Sequence, residues 1–108
     1  MRFEDHVEAA LASLPEHLRR ALRNVAIVIE DENDEDPDLL GLFEGVPLPE
    51  RGDDAGLLPD KITIYRLPLQ ESFPDAAELE EEIRITVLHE LGHYFGLDED
   101  RLSELGYE

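Results

Sequence analysis

The 108-residue sequence has no cysteine, and its only methionine is Met1. Without cysteine there are no disulfides and no thiolate metal sites. The cytoplasm is then the expected compartment, and any metal must be held by imidazole and carboxylate. No apolar run approaches the roughly eighteen residues of a membrane span, so no membrane partner is expected. The opening MRFEDHVEAALASLP carries acids early and lacks a long apolar segment, which predicts no signal peptide. Positive charge is also scarce. Nine Lys and Arg stand against 28 Asp and Glu, for a net charge of −19. Nucleic acid and anionic membranes reward clustered cations, so this balance argues against both. A solvated surface is the simplest reading, and basic partners or loosely held cations are what it favours.

Apolar residues make up 42% of the chain, enough for a globular fold. The length predicts one domain, 1–108, with a modest core. Phe3, Val7, Ala10, Leu11 and Leu14 recur at three- and four-residue steps, which predicts a first helix. Pro15 suits the first turn of a second short helix. VAIVIE, Val25 to Glu30, reads as a buried strand. EDENDEDPD, Glu30 to Asp38, is an acidic loop. Tested as an EF-hand from Asp31 or Asp34, it puts Asp36 or Leu39 where glycine is needed and Leu42 or Gly45 where glutamate is needed, so that reading fails. LLGLFEGV, Leu39 to Val46, is an irregular edge strand or a lining loop. KITIYRL, Lys61 to Leu67, alternates as a strand. From Asp75 the pattern turns helical, with Asp75 as N-cap and Glu78 three residues on. Leu79, Ile83, Val87 and Leu91 make its buried stripe, and Gly96 fits the left-handed position that ends a helix. A last short helix, Asp100 to Leu105, is expected.

The chemistry sits in TVLHELGHYFGLDED, Thr86 to Asp100. His89 and His93 lie at i and i+4, so both imidazoles leave one helix face and can reach one ion. Glu90 is about 100° further round. From there its carboxylate reaches a water that the ion acidifies more easily than it reaches the ion, which suits a general base. Shuffling this composition gives roughly 0.02 matches to HExxH. A catalytic zinc takes three protein ligands and keeps one position open. In HExxHxxGxxZ spacing position Z is Glu99, flanked by Asp98 and Asp100, with Glu104 one turn on. Glu99 is favoured on spacing, and the alternatives stay open. His6 and His17 have no ligand-spaced partner and read as surface histidines. Tyr65, Arg66 and Tyr107 are candidates to stabilise an oxyanion.

HELGHYFGL, with ELEEEIRITVL and LPDKITIYRLPL before it and VAIVIED and LLGLFEGVPLPERG further upstream, resembles the small bacterial zincin-like metallopeptidases, or minimal zincins. The resemblance covers nearly the whole chain, most specifically Leu39 to Leu97. It implies an α+β fold in which a short sheet packs against N-terminal helices and a long HExxH helix. It implies His89 and His93 as zinc ligands and Glu90 as general base. Where the family usually has Asp, this chain has Glu99, and the Met-turn of some zincins is absent. The expected function is therefore a zinc metallopeptidase using one Zn2+ on a peptide or protein substrate, a basic one suiting the charge. Lys61 to Leu67 or Leu42 to Val46 would offer the sheet edge on which that peptide pairs. The alternative is a metal-binding interaction or regulatory protein without turnover on the same scaffold.

Overall fold

The computed structural model describes residues 2–45, 60–96, 100 and 104. The first apolar stripe folds as its spacing predicts. Helix α1 (Phe3–Ala12) buries Phe3, Val7 and Ala10. Leu14 joins them just past the helix end, and Leu11 packs half-buried beside them. Pro15 caps helix α2 (Glu16–Ala21) from outside, because its ψ of 148° is extended. A 3-10 turn, Leu22–Asn24, follows.

Three strands form one mixed sheet in the order β1-β3-β2: β1 (Val25–Glu30), β2 (Gly41–Glu44) and β3 (Asp60–Tyr65). β3 runs parallel to β1, with Val25 opposite Asp60, and antiparallel to β2, with Phe43 opposite Ile62. Two expectations need correction here. β1 is an edge strand, so only Val25 is buried and Ile27, Val28 and Ile29 are half-buried. β3 has partners on both sides and lies inside the sheet, with Ile62, Thr63 and Ile64 fully buried. It offers no free edge, and the irregular Leu39 to Val46 segment supplies edge strand β2 instead.

β3 also stops at Tyr65, two residues earlier than predicted. Arg66 and Leu67 open helix α3 (Arg66–Ser72). Its third residue is Pro68, tolerated because a first-turn position needs no intrahelical N–H partner. The turn is held from the acidic loop: the Arg66 guanidinium meets Asp31 Oδ1 at 2.7 Å, and the Leu67 N–H donates to the Asp31 carbonyl at 2.9 Å.

Helix α4 (Ala76–Tyr94) carries the fold. The Asp75 side chain accepts from the Glu78 N–H at 3.0 Å and caps its start. Gly96, at φ +81°, donates to the His93 carbonyl at 2.9 Å and ends it. Leu79, Ile83, Val87 and Leu91 form the buried stripe, as the spacing predicts. α1 packs along α4, and α4 lies across β2 and β3. Ile62 and Ile64 from the sheet, Phe3 and Val7 from α1, and Leu69 from α3 complete a single core. This is the α+β architecture expected, although the short sheet packs against the one long helix and the first helix packs on that helix. Among the described residues no helix is long and apolar enough to cross a membrane.

His6 departs from the surface reading. It is 8% exposed, and its Nδ1 meets Glu80 Oε2 at 2.9 Å between α1 and α4. A polar ring buried at a helix contact needs such a partner, and it lies 74 residues away in sequence. His17 is exposed on α2.

Candidate metal centre

α4 is buried on more than one side near its C-terminal end, where Thr86, Leu88 and Glu90 join the apolar stripe. His89 and His93 alternate with these residues and stay half-buried, open to solvent on one side. One helical turn apart, their rings meet edge to face with centroids 4.9 Å apart. The two Nε2 atoms stand 3.3 Å from each other. Two nitrogens bound to one tetrahedral ion at zinc–imidazole bond lengths stand about 3.3–3.4 Å apart. The observed separation therefore fits a shared ion.

Glu90 is 8% exposed. Its Oε2 lies 3.9 Å from His89 Nε2, while its Oε1 accepts from the Phe43 backbone N–H at 2.9 Å. One carboxylate oxygen thus faces the imidazoles and the other is fixed by the edge strand. Ligand atoms of His89, Glu90 and His93 all lie within 4.8 Å of one another, a group that could hold a metal ion. Among the described residues neither Asp100 nor Glu104 joins it, although both are helical and exposed. Glu99 and Asp98, and with them the third-ligand expectation, lie outside the described residues.

Two features of this site have only a faint signal in the sequence. The first is Gly41. A Cβ at this position would sit 2.5 Å from Thr86 Cγ2 and 3.5 Å from Glu90 Cγ. Glycine therefore lets β2 approach α4 closely enough for the Phe43 N–H to reach Glu90. Phe43 adds an edge-on ring contact with Tyr94 at 5.8 Å. The glycine in LLGLFEG was the only sign of this contact. The second feature is a cleft of about 310 Å³ that runs from His89 and Glu90 along α4 past Thr86, Ile85 and Glu82 to the acidic loop.

Two oxyanion candidates fall elsewhere. Phe43 and Ile62 sit opposite each other on the α4 face of the sheet, so alternation turns Tyr65 to the other face. There the Tyr65 hydroxyl accepts from Asn33 Nδ2 at 2.9 Å. Arg66 is engaged by Asp31 and Gln70. Tyr107 lies outside the described residues. Tyr94 is 5% exposed and packs between Phe43 and Phe95.

No curated protein matches the chain. The model of one protein family does match, over residues 22–107, and that family is described as zincin-like metallopeptidase.

Proposed function

Since the chain belongs to the zincin-like metallopeptidase family, we propose that it is a zinc-dependent peptidase in which Glu90 is the general base. The observation that carries this reading is the convergence of the two Nε2 atoms at 3.3 Å beside a buried carboxylate.

His89 and His93 would hold one Zn2+, and the HExxHxxGxxE spacing favours Glu99 as the third ligand. Bound there, zinc supplies Lewis-acid stabilisation and acidifies water. Glu90 handles the proton. With Oε1 held by Phe43, its Oε2 takes a proton from the attacking water as the new C–O bond forms. It returns that proton to the amine nitrogen as the C–N bond breaks. The peptide lies along the outer edge of β2, where antiparallel alternation turns the backbone groups of Gly41 and the carbonyl of Phe43 outward, the Phe43 N–H being held by Glu90. The acidic surface favours basic peptides through long-range attraction. The cysteine-free chain suits the cytoplasm.

Glu90→Gln tests the reading. The amide oxygen can still accept from Phe43, so the fold and zinc uptake should persist while peptide hydrolysis is lost. Hydrolysis at the wild-type rate would remove Glu90 from the mechanism. A wild-type protein that binds zinc but cleaves nothing in a broad peptide library would instead favour the non-catalytic metal-binding scaffold.

A further inference from the structure

We propose that the cleft beside His89 and Glu90 is a specificity pocket for a lysine or arginine side chain of the substrate. This inference rests on the peptidase reading and adds a substrate class to it. Glu82, Ile85, Thr86 and His89 fall at i, i+3, i+4 and i+7 of α4, so one helix face leads from the imidazole to the far end of the cleft. Opposite stand Leu39 and Leu40 with Gly41. The half-buried aliphatic side chains of Leu39, Leu40 and Ile85 make apolar walls. The lining is also charged: Asp36 and Asp38 from the loop, and Glu82 two helical turns from His89, add three carboxylates to it.

A cleft lined by both aliphatic side chains and carboxylates matches a methylene stem with a cationic head. An acidic side chain would be repelled by these carboxylates, and a purely aliphatic one would cover them without pairing them. A bare metal ion fits less well, because among the described residues these carboxylates form no group close enough to hold one. Among the described residues the metal-holding group does not extend to Asp36, Asp38 or Glu82. Burial pushes the Glu82 carboxyl above its ordinary range, and Glu78 and Glu81 push it the same way. A cation placed beside it would relieve that strain.

Two measurements on the zinc-loaded protein test the proposal. The first titrates n-butylguanidinium and follows backbone amide shifts by NMR. Saturable shifts are expected at Leu40, Ile85 and Thr86, none of them with 1-pentanol, and binding should weaken roughly tenfold in the Asp38→Asn, Glu82→Gln double variant. The second measures hydrolysis of a quenched peptide library. Cleavage next to Lys or Arg is expected, with the kcat/KM ratio for arginine over norleucine falling roughly tenfold in the same variant. Cleavage with no basic preference would overturn the pocket assignment and leave the peptidase standing. Saturable guanidinium binding in the cleft without any cleavage would uphold its cation preference and overturn the hydrolytic reading. Neither binding nor cleavage would overturn both.

Discussion

The backbone N–H of Phe43 donates to Glu90 Oε1 at 2.9 Å, tying edge strand β2 to the buried carboxylate of the HExxH helix. The bond joins residues 47 apart in sequence and makes the position of Glu90 depend on the sheet as well as on its own helix. It also engages an outward-facing N–H that an edge-pairing peptide would otherwise meet unoccupied.

This bond has a measurable worth. Phe43→Ala loses the ring contact with Tyr94 but keeps the N–H, whereas Phe43→Pro loses both. The N–H points away from β3, so proline leaves the β2–β3 ladder intact. Denaturant unfolding should find Phe43→Pro less stable than Phe43→Ala by about 1.5–3 kcal/mol, as expected for a hydrogen bond to a charged group. Equal stabilities would mean that the bond contributes nothing.

Gly41 is expected to tolerate no side chain while Thr86 keeps its methyl. Gly41→Ala would push β2 off α4 at a cost of about 1–3 kcal/mol, typical of overpacking. Thr86→Ser removes Cγ2 but retains the hydroxyl that donates to the Glu82 carbonyl at 2.8 Å. The double variant should recover most of the lost stability. Additive losses in this cycle would place the damage elsewhere.

Glu82 gives a pH signature. Its carboxyl is raised in the folded chain, chiefly by burial. The folded state therefore binds that proton more tightly than the unfolded state. Its charge costs stability above the folded pKa, and the cost disappears as pH falls below the ordinary carboxylate value. Glu82→Gln should raise Tm near pH 7 and leave it close to wild type near pH 3.5. A gain that is the same at both pH values would show that charge is not the cause.

Local pattern carried much of this fold and site. The stripes of α1 and α4, the Asp75 cap and the Gly96 stop depend on neighbours within a turn or two, and each stands where its spacing puts it. The helical spacing of His89 and His93 likewise brings their Nε2 atoms together. What the sequence hid is non-local. A buried apolar strand and an exposed-edge one look alike in VAIVIE and KITIYRL until the strand order is known, and that order puts β3 in the middle. The His6–Glu80 contact, the Phe43–Glu90 bond and the close approach at Gly41 all depend on which elements pack together, which no local periodicity encodes. Helix α3 is not expected from the sequence at all: the alternation carries the strand on to Leu67, and Pro68 stands in the first turn of α3, where proline does not interrupt a helix.

The central claim is that His89 and His93 grip one ion together. Calorimetric zinc titration of the wild type beside His89→Ala and His93→Ala tests it most directly. The account predicts one zinc per wild-type chain and at least a hundredfold weaker uptake in either variant, by the ordinary loss of one of two or three ligands. Unchanged zinc stoichiometry and affinity in either single variant would contradict it.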